Sequence, residues 1–103
     1  MKLHEASQLF ECLGSPIRLQ IFQLLNDSGE VGLVAGDLAK QMNLAPNLMS
    51  FHLKNLSNSG LVSYKQEGRF VRYSVNIMLM HELVEFLNTN CHEANFGNTQ
   101  NNI

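Results

Sequence analysis

Leu3, Ala6, Phe10 and Leu13 recur at the three-to-four-residue interval of an amphipathic helix, and Gly14-Ser15-Pro16 then interrupts the pattern. A glycine stop, a serine N-cap and a proline at the first helical position predict that one helix ends there and another begins at once. The second helix places Ile17, Ile21, Leu24 and Leu25 on one stripe and ends around Asp27-Ser28-Gly29. Glu30 to Val34 reads as a short extended connector, Ala35 to Asp37 as an approach, and Leu38 to Met42 as a third, short helix. Asn43-Leu44-Ala45 breaks that pattern. Pro46 restarts a helix through about Leu56, with Met49, Leu53 and Leu56 facing inward, and Ser57-Asn58-Ser59-Gly60 closes it.

From Leu61 the period changes to two. Leu61 to Gln66 and Phe70 to Val75 are rich in β-branched and aromatic residues and join across Glu67-Gly68-Arg69, which predicts a hairpin. A last helix from about Ile77 to Cys91 sets Met80, Leu83, Val84, Leu87 and Cys91 on one face. Asn95 to Ile103 is Asn-rich and without periodicity, so residues 1–92 read as one domain and 93–103 as a flexible tail. The predicted class is mainly α (α+β), in the order α-α-α-α-β-β-α.

Composition narrows this picture without changing it. A chain of 103 residues with 45% apolar and 16% charged positions is globular, and two domains would leave each too small a core. No run approaches the roughly 18 apolar residues of a membrane helix, and no basic stretch followed by an apolar one opens the chain. A cytoplasmic protein without membrane contact is the expectation. Cys12 and Cys91 are too few and too far apart for a disulfide framework or a finger-type zinc site, so reduced thiols are expected.

A net charge of −2 argues at first against nucleic acid, whose binding depends on Lys and Arg neutralising phosphates. The distribution reverses that argument. Between Leu38 and Arg72 lie Lys40, Lys54, Lys65, Arg69 and Arg72 against Glu67 alone, while the acidic residues gather toward both ends.

The basic stretch coincides with a helix, a short turn and a second helix, the layout of a helix-turn-helix whose second helix enters the major groove. With Met49, Leu53 and Leu56 committed to the core, Asn47, Leu48, Ser50, Phe51, Lys54 and Asn55 face outward, and His52 stands at the margin. Asn47 and Ser50 suit bonds to base edges, Phe51 a thymine methyl, and His52 or Lys54 a phosphate. Each alone is equally an ordinary surface side chain, and Phe51 has partial packing against the hairpin as its other explanation. The hairpin tip carries Lys65 and Arg69 beside Gly68, which suits a wing laid along the backbone or in a narrow minor groove, with Arg72 at a phosphate.

Taken together, Leu13-Gly14-Ser15-Pro16-Ile17-Arg18-Leu19, Ser50-Phe51-His52-Leu53-Lys54, Gly60-Leu61-Val62 and Glu67-Gly68-Arg69-Phe70-Val71-Arg72-Tyr73 strongly resemble the ArsR/SmtB family of metal- and metalloid-responsive repressors. The resemblance runs to about His92. It implies a winged helix-turn-helix that dimerises through its first and last helices, binds an imperfectly palindromic double-stranded DNA operator as a homodimer, and leaves it when an inducer binds. No cofactor is implied for DNA binding itself. The apolar faces of Leu3–Leu13 and Met80–Cys91 independently suit a dimer surface, since one small domain has little room to bury both.

The inducer site is less defined. The Cys-x-Cys that family members carry before an Asp-Leu pair corresponds here to Val34 and Gly36, so that site is absent. The positions that bind zinc or cobalt in other members fall near Ile77, Leu79, Asn90 and Glu93, and His81 reads as an exposed helix residue. Asn88-Thr89-Asn90-Cys91-His92 looks more like the arsenical-resistance branch, with His92 where a second cysteine would stand. The resemblance therefore points to As(III) or Sb(III), or another thiophilic ion, at Cys91, His92 and, across a dimer, Cys12. Arsenite prefers three soft thiolates. Buried structural cysteines and a thiol-redox switch are the alternatives at these positions. Two other classes compete: a winged-helix protein-interaction module without DNA binding, and a thiol enzyme. The enzyme is not expected, because adjacent helix residues Cys91 and His92 point about 100° apart and no orienting group accompanies them.

Overall fold

The computed structural model describes residues 1–89. The proposed tail, together with Cys91 and His92, lies outside the described residues. Five helices and three short strands follow in the order α1 (Leu3–Leu13), α2 (Pro16–Ser28), β1 (Leu33–Val34), α3 (Ala35–Gln41), α4 (Pro46–Ser59), β2 (Val62–Glu67), β3 (Phe70–Val75) and α5 (Ile77–Thr89), with a 3-10 turn at Gly29–Val31 before β1. This is the predicted winged helix-turn-helix, with one strand added.

Local chemistry sets the boundaries. The Lys2 backbone N–H donates to Glu5 Oε1 at 3.0 Å and opens α1. Ser15 caps α2 by accepting from the Arg18 N–H, with Pro16 at the first helical position. Pro46 starts α4, and Gly60, at φ 87°, ends it in the left-handed conformation that a side chain disfavours. Asn76 ties three elements together: its backbone N–H donates to Leu61 O, its Nδ2 to Gly60 O, and its Oδ1 accepts the Leu79 N–H that begins α5.

The sheet is antiparallel in the order β1-β3-β2, with Leu33 opposite Tyr73, and the hairpin register runs from Val62 opposite Val75 to Glu67 opposite Phe70. Ile21, Leu25, Leu38, Met49, Leu53, Leu56 and Leu61 are fully buried, so the core lies where α2, α3, α4 and the base of the hairpin converge. Ala6 and Leu9 of α1 and Leu83 of α5 close it from the other side.

Several boundaries differ from the sequence expectation. The connector after α2 holds the 3-10 turn and β1, which bonds to β3, and α3 begins at Ala35 instead of Leu38. Helix α4 runs three residues past Leu56, because Ser59 donates from its Oγ to Leu56 O and also accepts the Leu61 N–H, which completes the final turn. In α1 the core takes Leu9 instead of Phe10, which stays partly exposed. Among the described residues of the expected α5 face, Leu83 alone is buried, while Val84 and Leu87 remain about half exposed. Leu3, Phe10, Ile77 and Met78 add to this uncovered apolar surface on two helices that touch each other.

Candidate nucleic-acid interface

Helix α3 packs across α4 through Leu38 and Ala39, and the turn between them is held by the Leu44 N–H donating to Ala39 O and by Asn43 at φ 50°. Asparagine tolerates that left-handed conformation better than most residues. With Met49, Leu53 and Leu56 anchored in the core, α4 is fixed along its length and presents Asn47, Leu48, Ser50, Phe51 and Lys54 outward. Its first turn has Ala45 before Pro46 and no side-chain cap, so its leading N–H groups stay available. Asn55 is half-buried and bonds back to the Phe51 carbonyl, which removes it from the outward set.

His52 requires a correction. Expected at the margin and within reach of a phosphate, it is only 8% exposed, because it lies three residues after Met49 and four before Leu56 and so shares their buried stripe. Burial, and secondarily the Arg18 guanidinium, hold its pKa below the ordinary histidine value, so the ring is neutral at neutral pH. Its Nδ1 has no hydrogen-bond partner among the described residues. The ring packs edge-on against Phe51, with centroids 5.4 Å apart. It therefore supports the outward aromatic from beneath.

The wing is the β2–β3 hairpin. Gly68, at φ 63°, and Arg69 form its two-residue loop, and Gln66 Nε2 donates to Gly68 O at 2.7 Å to brace the tip. Glycine at the first loop position is what a type II′ turn demands. Arg69 and Lys65 are exposed. Arg72, cross-strand from Lys65, already has partners: its Nε pairs with Glu67 Oε1 at 3.0 Å and its Nη1 donates to Val31 O. A phosphate contact by Arg72 would compete with Glu67, although an exposed ion pair contributes only about 0–1 kcal/mol. Tyr64 and Phe70 are exposed on the same hairpin and were not among the sequence candidates. Their only advance signal was strand alternation, which does not distinguish a buried from an open face in so short an edge.

Cys12 is half-buried at the end of α1, with Sγ 3.8 Å from the Asn55 carbonyl of α4, and its own carbonyl accepts from Arg18 Nε at 2.7 Å. The thiol thus abuts the helix that faces outward. Among the described residues no three His, Cys, Asp or Glu side chains come together as a metal-holding group. No helix among them is long and apolar enough to cross a membrane.

A helix-turn-helix domain family matches residues 13–64, which include all of α3 and α4. The chain is 32% identical to an arsenical resistance operon repressor of Staphylococcus xylosus over 87% of its length and 80% of that protein's. The chain belongs to the ArsR/SmtB family of helix-turn-helix transcriptional repressors. The transcriptional repressor SdpR of Bacillus subtilis is 26% identical over 79% of this chain and 87% of its own. An ArsR-like transcriptional regulator from Rhodococcus sp. RHA1 superposes with a TM-score of 0.74 at 23% identity, covering 94% of this chain and 87% of that one, and so shares the fold. This ArsR/SmtB member is a transcriptional regulator and not an enzyme.

Proposed function

We propose that the protein works in the cytoplasm as a homodimer that binds an imperfectly palindromic duplex operator, blocks transcription there, and is released by an inducer. The observation that carries this reading is the joint placement of an outward α4 face and a cationic hairpin tip on one rigid core. Asn47, Ser50 and Phe51 face base edges, Lys54 faces a phosphate, and Lys65 and Arg69 follow the backbone from the wing. Arg72 joins them where a phosphate displaces Glu67. The uncovered apolar residues of α1 and α5 supply the dimer surface, consistent with a C2 pair presenting two α4 helices about one duplex turn apart.

The inducer we assign is As(III) or Sb(III), or another thiophilic ion, held by Cys12 and Cys91 with His92. A relative named for arsenical resistance supports the ion class, and the Cys12 thiol beside Asn55 supplies a route from ligand to α4. A ligand favouring one dimer geometry changes operator affinity by its differential binding, and a coupling of about 1–3 kcal/mol gives a 5- to 150-fold change. A second reading keeps the fold and replaces the ion by oxidation. It is favoured by the cysteine count of two, which meets the need of a disulfide and falls one short of a trithiolate site.

The test is fluorescence anisotropy on a labelled operator, with and without arsenite, antimonite, zinc and an oxidant, for the wild type, Cys12→Ser and Cys91→Ser. Arsenite or antimonite should release the wild type and not the cysteine variants. Release by oxidant alone would favour the redox reading. Undiminished release of both variants would remove the cysteines from the signal.

A further inference from the structure

The outward face of α4 is unusual in what it offers a groove. It carries no arginine, so Lys54 is the one cation on this helix that could meet guanine O6 and N7. Two large apolar side chains occupy the centre of the face instead: Leu48 is 41% exposed and Phe51 is 58% exposed. Three residues apart on a helix, they are surface neighbours with Cβ atoms roughly 5–6 Å from each other. Phe51 is also oriented, because the buried His52 ring meets it edge-on.

An exposed apolar pair calls for a partner, and the charges around it select among partners. Lys54 lies on the same helix, and Lys65 and Arg69 are exposed on the wing, so the cations of the two elements suit a polyanion. Within the major groove of a duplex the apolar group presented to a protein is the C5-methyl of thymine. Asn47, one residue before Leu48, has the side chain whose paired donor and acceptor match adenine N6 and N7.

We infer that Leu48 and Phe51 form an apolar reader of thymine methyl groups, so that each operator half-site is specified by A·T pairs with methyls toward α4. This rests on the DNA-binding reading above and deepens it from duplex DNA to a base class. Burying one methyl group contributes roughly 4-fold in affinity, so two half-sites reading one methyl each give roughly 15-fold.

The test separates the two levels. Wild-type protein is first used to select duplexes from a random-sequence pool, and each thymine of the selected duplex is then replaced singly and symmetrically by deoxyuridine, which removes only the methyl. Affinity should fall roughly 15-fold at one or two symmetric positions, and Phe51→Ala or Leu48→Ala should bind more weakly and be indifferent to uracil at those positions. Equal affinity of the wild type for every uracil duplex would overturn the inference while leaving DNA binding intact. Uracil sensitivity that persists undiminished in both variants would also overturn it. Failure to enrich any sequence, with no binding at low salt, would overturn the DNA reading and this inference with it. The wild-type arm of the uracil series can overturn the inference by itself, whether or not either variant folds.

Discussion

Exchanging Lys54 and Arg69 together for Glu is expected to lower duplex affinity by about 100-fold or more at low salt and to flatten its salt dependence. Both side chains are exposed, and neither has an ion-pair or hydrogen-bond partner among the described residues, so the exchange leaves the core untouched. A hydrogen bond to a charged group contributes about 1.5–3 kcal/mol, and removing two such bonds from each subunit accounts for the fall. Each phosphate neutralised adds about 0.9 to the slope of log affinity against log salt, so a dimer deprived of four phosphate bonds has that slope reduced by roughly 3 to 4. Arg72→Gln should act more weakly, because Arg72 is already engaged by Glu67 and Val31. Anisotropy titrations across a salt series check both statements. A double variant with wild-type affinity and slope would show that the helix and wing do not meet the backbone.

The largest expected effect on stability comes from Gly32→Ala. Gly32 is buried at φ 68° and ψ −168°, a backbone region essentially closed to other residues. A Cβ there would also run into the Tyr73 carbonyl, which is backbone of β3 and unable to move without breaking the β1–β3 pairing. Conformational strain and overpacking together predict a loss of about 3 kcal/mol or more, or a Tm lower by roughly 12 °C or more for a domain of this size. Gly36→Ala is the matched control: it sits on exposed α3 with open space around its Cβ position and should leave Tm unchanged or slightly raised. Thermal unfolding followed by circular dichroism distinguishes them, and equal Tm values for the two variants would refute the close β1–β3 approach.

What the sequence reveals about this fold is what short-range chemistry controls. Ser15-Pro16 marks the start of α2, Pro46 that of α4, Gly60 the end of α4 and Gly68 the hairpin turn, because each signal acts within a few residues of itself. Strand β1 is legible only as part of the extended connector from Glu30 to Val34, and not as a member of the sheet. It is two residues long, and its partner Tyr73 lies far along the chain, so nothing local announces the pairing.

The same division runs through the interface. The outward placement of Asn47, Ser50, Phe51 and Lys54 follows from helical spacing once Met49, Leu53 and Leu56 are taken as core. The inward turn of His52 does not, since its angular position is marginal and packing around Arg18 and Phe51 decides it. Nor does the pairing of Arg72 with Glu67, which depends on the register of the hairpin. The apolar surplus of the first and last helices is legible from spacing alone, and the exposure of Leu3, Phe10, Ile77, Met78, Val84 and Leu87 specifies which side chains carry it.

The proposed mode of action requires two chains that together place two α4 helices on one duplex. Sedimentation of the protein, free and with a selected operator, tests this most directly. The expected result is twice the chain mass for the free protein, two chains per duplex, and loss of binding when about 5 bp inserted between the half-sites turn them to opposite faces. A protein that remains single at micromolar concentration and leaves duplex unbound at low ionic strength would contradict it.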